Sequence, residues 1–192
     1  MKIWNIFNKS EKMLLQAFGK LPFYKDYIAV LYGKESIGWR DWLVNTFGNK
    51  QKPPEGKWYF IFKNSKKSKL ILGIMKASSD GMREFPFTLF ACCKNPNSGL
   101  LLKIWEELEF VWDEILSIDN ITNFYSFLKK KELIINKRLL QSENEWDRKI
   151  EEFKKSTIQW PRILITYDKN NYFISECHDY NELIMKWDKN EL

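Results

Sequence analysis

Apolar residues run unbroken through some stretches of this chain and recur at three- and four-residue steps in others. The unbroken runs are Trp58 to Phe62, Leu70 to Met75, Phe87 to Cys93 and Ile163 to Ile165, and Met13 to Phe18 is broken only by Gln16. They are rich in branched and aromatic residues, as strands covered on both faces are. Helical spacing appears between Gly38 and Gly48, where Trp39, Trp42, Leu43 and Phe47 form an aromatic stripe that faces a core. The clearest helix follows Asn95-Pro96-Asn97-Ser98, with Leu101, Ile104, Trp105, Leu108, Val111, Trp112 and Ile115 on one side. Its outward side carries Glu106, Glu107, Glu109, Asp113 and Glu114, and Lys103 is spaced to pair with Glu107. A second helix spans Ile121 to Lys131 and ends in three lysines, which suit a helix C-terminus. A third starts at Ser142, with Glu145 completing a capping box, and buries Trp146, Ile150 and Phe153.

Pro161 ends that region. Arg162 to Tyr167 and Tyr172 to Ser175 then read as a hairpin turning at Asp168–Asn171, and a terminal helix buries Leu183, Ile184 and Trp187. Residues 1–11 form a short leader whose Ile3, Trp4, Ile6 and Phe7 can dock. The order is strand, helix, three strands, three helices, two strands, helix, with no repeat and no low-complexity linker. It predicts an α/β chain: one domain over residues 1–192, a three-layer α/β/α sandwich around a mixed β-sheet, with a two-layer α+β arrangement as the alternative.

Composition narrows the class. Nine Trp and fourteen Phe in 192 residues supply a large core. Charge is uneven: residues 1–100 carry 17 Lys and Arg against 7 Asp and Glu, and the remainder carries 14 against 18. A positive front can steer an acidic partner, and a Lys-rich surface also serves solubility. The run Lys63 to Lys69 reads as gatekeeping lysines flanking sticky strands, since no aromatic or Arg residue interleaves it. Three cysteines, two adjacent, make no disulfide framework; Cys92 and Cys93 read as small apolar residues on opposite faces of a strand. With a single His, His178, no zinc-like ligand spacing exists, and no metal or cofactor is expected. No apolar run nears the roughly 18 residues of a membrane span, so a reduced, cytoplasmic protein without membrane insertion is expected.

Two bends carry the candidate chemistry. In the first, Gly19 permits a sharp change of direction, Pro22 holds Leu21 extended, and Asp26 lies among Lys20 and Lys25. In the second, Ser78-Ser79-Asp80-Gly81-Met82-Arg83 links the two central strands, with Pro86 at the start of the second. Asp80 and Arg83 would then stand at the rim of a rigid sheet.

Phe18-Gly19-Lys20-Leu21-Pro22 with Asp26-Tyr27-Ile28 resembles an F-G-K-L-P-x-x-G-D-F signature. Ser78-Ser79-Asp80, then Arg83-Glu84-Phe85-Pro86-Phe87-Thr88-Leu89, resembles S-x-D followed by G-R-x-F-P-L-T. Trp39 and Trp42-Leu43 lie between them as a W-x-x-W-L helix. Together they resemble the TagF family, also called ImpM, of type VI secretion accessory proteins, most strongly over residues 18–91. Lys25 and Met82 replace glycines of the pattern, and the Asp80-to-Arg83 spacer is one residue short. Gly19, Lys20, Leu21, Pro22, Asp26, Arg83, Phe85 and Pro86 carry over directly, and Trp42 and Asp80 join them as candidate binding residues.

What the resemblance implies is a cytoplasmic post-translational regulator, repressor-like and not an enzyme. It would act by protein–protein binding to a forkhead-associated-domain scaffold or other type VI secretion components. The fold implied is again an α/β/α sandwich. From the residues themselves, Asp26, Lys20, Asp80 and Arg83 would form a polar cluster ringed by Phe23, Tyr24, Phe85 and Pro86. Either partners dock on it, or Arg83 bonds Asp26 or Asp80 and merely ties the loops together. Two other readings stay open: a small hydrolase using Asp26 or Asp80, and a weak nucleic-acid binder through the basic N-terminal half. The chain carries no G-x-S-x-G elbow, P-loop or stacking motif in their favour, and no nucleic-acid partner is expected.

Overall fold

The structure is a computed structural model, and it describes residues 10–48, 52, 53, 55–136, 144–155, 161–166 and 175–177. In chain order the elements are β1 (Ser10–Leu14), β2 (Gln16–Lys20), β3 (Tyr27–Val30), α1 (Lys34–Phe47), β4 (Lys57–Lys63), β5 (Leu70–Ser79) and β6 (Glu84–Cys93). They continue with α2 (Ser98–Leu116), α3 (Ile121–Lys130), β7 (Glu132–Asn136), α4 (Asn144–Lys155), β8 (Arg162–Thr166) and β9 (Ser175–Cys177). Seven strands form one sheet in the order β3-β2-β6-β5-β4-β8-β9, and β1 pairs with β7 in a separate ribbon.

Side chains alternate across the central strands and fill two cores. Tyr59, Ile61, Leu70, Leu72, Ile74, Leu89 and Ala91 face one side, where α2, α3 and α4 pack. Trp58, Phe60, Phe62, Ile71, Met75 and Phe90 face the other, where α1 packs. Helices thus cover both faces in three layers, as the unbroken apolar runs predict. The seven α2 residues predicted to face inward are all buried. Each such large side chain contributes about 1.5–3 kcal/mol on full burial. Asn97 caps α2 by accepting from the Leu100 N–H at 3.0 Å, and Asp147 of α4 accepts from the Ser98 N–H at 2.7 Å. The predicted Lys103–Glu107 pair forms at 3.2 Å. Glu109 is not simply solvated: it accepts from both Lys57 and the Tyr59 hydroxyl.

The α1 core is built on ring stacking. Trp39 lies 4.3 Å from Phe60 and 5.3 Å from Trp42, centroid to centroid, at near-parallel angles. Its indole N–H donates to the Thr88 hydroxyl, which donates to the Phe18 carbonyl, linking α1, β6 and β2. Gly73 makes room for this stack, because a Cβ there would lie 2.4 Å from the Phe60 ring.

Several expectations change. The sheet is not mixed: every described pairing is antiparallel. The links β2–β3, β4–β5 and β5–β6 are too short for the crossover that parallel neighbours need. The expected first strand is two strands in different sheets, because no turn residue marks the switch at the buried Leu15. The four- and five-residue strands β3 and β7 escape a reading tuned to longer runs. α1 starts at Lys34 rather than near Gly38, and α4 at Asn144. Pro86 stands two residues inside β6, just past the Gly19–Phe87 pair that ends the β2 ladder. Ser10 and Glu11, expected in the leader over residues 1–11, are the first residues of β1. Residues 1–9, Ser142, the 168–171 turn, the strand over 172–174, His178 and the terminal helix lie outside the described residues, as do the Glu145 and Trp146 side chains.

Candidate functional site

The two bends meet at one end of the sheet. Gly19 starts the approach: its φ is +132°, and a Cβ there would lie 2.0 Å from the Pro86 carbonyl oxygen. Only a residue without a side chain lets β2 come this close to β6. The next residue, Lys20, points inward and is fully buried. Its ammonium lies 2.6 Å from Asp80 Oδ2, with side-chain exposures of 0% and 9% for the pair. The ammonium also donates to the Lys25 carbonyl and lies 5.8 Å from the centre of the Tyr27 ring. One buried cation therefore holds both bends, clasping the 80–83 loop with one bond and the 21–26 bend with another.

Asp80 is bonded on both oxygens. Oδ1 accepts from the Met82 N–H at 3.0 Å and the Arg83 N–H at 2.8 Å. Ser79 Oγ accepts from the Gly81 N–H at 3.0 Å, and Gly81 takes the left-handed φ of +85° that closes the turn. The hydrogen bond from Lys20 leads in holding the Asp80 carboxyl far below the usual carboxylate range, followed by the two backbone N–H groups. Such a carboxylate is a brace. It is a poor proton acceptor, and a role as a base would require it to release Lys20.

The other candidate residues fall into three groups. Leu21, Phe85 and Pro86 are buried, and Phe85 sits edge-on to Phe18 and Tyr27. Trp42 is 6% exposed in the α1 core, so it is a packing residue and presents no binding surface. Pro22, Asp26 and Arg83 are exposed. Among the described residues neither the Asp26 carboxylate nor the Arg83 guanidinium has a hydrogen-bond or ion-pair partner. The expected tie between Arg83 and an aspartate is thus made by Lys20. Lys20 is the last residue of β2, and its burial there, which the sequence alone does not show, is what requires a carboxylate partner.

Around this brace the surface is apolar and indented. Phe23, Tyr27, Met82 and Leu116 are large apolar side chains exposed at this end, Met82 by 84%. On the α1 side lies a cleft of about 620 Å³ lined by Tyr27, Phe47, Lys52, Met82 and Arg83. On the α2 side lies one of about 340 Å³ lined by Leu21, Phe23, Phe87 and Trp112. Sequence reasoning missed Tyr27 and Met82 as surface features because exposure depends on which ends of the sheet coincide. The two strand cysteines divide as expected, with Cys93 in the α2-side core and Cys92 against the α1-side core. Burial pushes the Cys92 thiol above its ordinary value, so it is a poor nucleophile.

No family model matches the chain, and no curated protein or solved structure matches it either. No helix among the described residues is long and apolar enough to cross a membrane.

Proposed function

We propose that this chain is a cytoplasmic accessory protein of a type VI secretion system. It would act as a post-translational, repressor-like regulator by binding other proteins, first among them a forkhead-associated-domain scaffold. The single observation that carries this reading is the Lys20–Asp80 ion pair, which joins the two TagF-like sequence stretches into one rigid rim. Charged brace residues inside, with unpartnered Arg83 and exposed Met82, Tyr27 and Phe23 outside, give a partner a preformed surface. Arg and large apolar side chains are the residue types that anchor protein interfaces, and a rigid rim lowers the ordering cost of binding.

The test is co-expression with the forkhead-associated scaffold of the same secretion system, followed by size-exclusion chromatography. The two are expected to co-elute. Arg83→Ala is expected to weaken that complex at least tenfold while leaving the unfolding midpoint unchanged, because exposed side chains without partners shift stability by less than about 0.5 kcal/mol. Separate elution of the wild-type proteins at micromolar concentrations would sink the reading. Normal binding by the variant would remove Arg83 from the interface.

A further inference from the structure

The α2-side cleft is more apolar than the rim around it. Its walls are Leu21, Phe23, Phe87, Trp112, Ile115 and Leu116, drawn from the 21–26 bend, β6 and the last turn of α2. At about 340 Å³ it sits at the lower end of the ~300–1,000 Å³ range of ligand clefts. That is room for one or two large apolar side chains.

Charge selects what else the occupant carries. Lys76 is the one charged residue lining the cleft; it is exposed and meets no acid among the described residues. It stands directly across the strand pair from Lys57. Like charges in that position repel. Lys57 is neutralised by Glu109, whose carboxylate is also taken by the Tyr59 hydroxyl. Lys76 keeps an uncompensated positive charge beside an apolar hollow. Ser78 also lines the cleft, and its hydroxyl oxygen is buried without a hydrogen-bond partner. The Glu114 and Ile115 carbonyls at the end of α2 are already taken by the Ser117 and Ile118 N–H groups, so that wall offers the cleft the apolar side chains of Trp112, Ile115 and Leu116. A ligand that fits brings an apolar group to the hollow, a carboxylate to Lys76 and a separate hydrogen-bonding group to Ser78. A peptide segment supplies all three from neighbouring residues, whereas a fatty acid has one polar group for both.

We infer that this cleft is the docking site for a hydrophobic, acidic segment of a partner protein, with a Leu or Phe side chain in the hollow and a neighbouring Asp or Glu carboxylate on Lys76. The assignment rests on the reading of this chain as a protein-binding regulator and names the chemistry of the segment it takes. The cleft lies across the β5–β6 hairpin from Arg83, so the two can be tested apart.

The probe is a blocked peptide in which leucine and phenylalanine alternate with glutamate, titrated into the whole protein labelled at Ile and Leu methyls. Its counterpart has lysine at every glutamate. Shifts are expected at Leu21, Ile115, Leu116 and Ile118, saturating below millimolar, with the lysine peptide at least fivefold weaker. Lys76→Glu is expected to invert that preference, Leu116→Ser to weaken the acidic peptide several-fold, and Arg83→Ala to change neither. Both altered cleft residues are exposed, so the fold is not at stake. Equal affinity for the two peptides, no shifts at these methyls, or an indifferent Lys76→Glu would overturn the assignment. The titration needs no scaffold. Peptide binding without scaffold co-elution would refute the named partner and support the cleft. Scaffold co-elution without peptide binding would support the partner and refute the cleft.

Discussion

Gly19→Ala is expected to leave little folded protein. Two costs combine at this position. The φ of +132° is one that side chains rarely adopt, and the added methyl would sit 2.0 Å from the Pro86 oxygen and 2.8 Å from the Phe87 Cα. Both obstacles are backbone, so no rotamer change relieves them. β2 would have to withdraw from β6 over the pairs from Gln16–Phe90 to Gly19–Phe87, and it would carry Lys20 away from Asp80. The expected loss exceeds about 4 kcal/mol, a size reserved for changes with a named steric or electrostatic cause. Urea denaturation followed by circular dichroism checks it. Gly81→Ala is the control: its φ of +85° is also unfavourable, but nothing lies within 4 Å of the added Cβ. It is expected to cost about 1–2 kcal/mol from backbone strain alone. Equal stability of Gly19→Ala and wild type would mean that the close approach of β2 to β6 is absent.

Asp80→Asn is the second large effect, and it acts through Lys20. The buried ammonium would keep only the Lys25 carbonyl and the Tyr27 ring as partners. A charge left uncompensated in the interior destabilises more than the intact pair ever stabilised. The pH dependence has a fixed sign. Asp80 titrates lower when folded than its ordinary 3.8, so its contribution is complete above that value and is lost as pH falls through the lower, folded one. The stability gap between wild type and Asp80→Asn should therefore be flat from neutral pH down to about pH 5. Below that it should narrow progressively, because the unfolded carboxyl takes up its proton before the folded one does. A gap that stays constant from neutral pH down to about pH 2 would indicate an ordinary, solvated carboxylate that titrates alike in the folded and unfolded chain.

Much of this fold was legible in the sequence because its signals are local. The stripe from Leu101 to Ile115 fixes α2, and the unbroken runs at 58–62, 70–75 and 87–93 fix three central strands. Sheet direction was not legible from the order of elements, although the short links between strands do determine it. The meeting of the two bends followed from placing the first strand beside the central pair. Which cation would join them did not. Lys20 and Arg83 are equal as charges, and only the register Lys20–Tyr27 and the burial of β2 show that one points inward and the other out. Trp42 could be read as a motif residue or as core, and the stack with Trp39 decides for core. The α2-side cleft had no signal at all. It exists because the end of α2, the 21–26 bend and the β5–β6 hairpin finish at the same level.

The rim depends on one bond between two motifs 60 residues apart, and a double-mutant cycle on Lys20 and Asp80 measures it. Lys20→Met, Asp80→Asn and the pair together would be compared by urea denaturation at neutral pH. Coupling predicts that the double variant, with no buried charge left to satisfy, is more stable than Asp80→Asn alone and that the two single losses sum to far more than the double loss. Strictly additive losses would contradict it: the two stretches would then be neighbours without being joined.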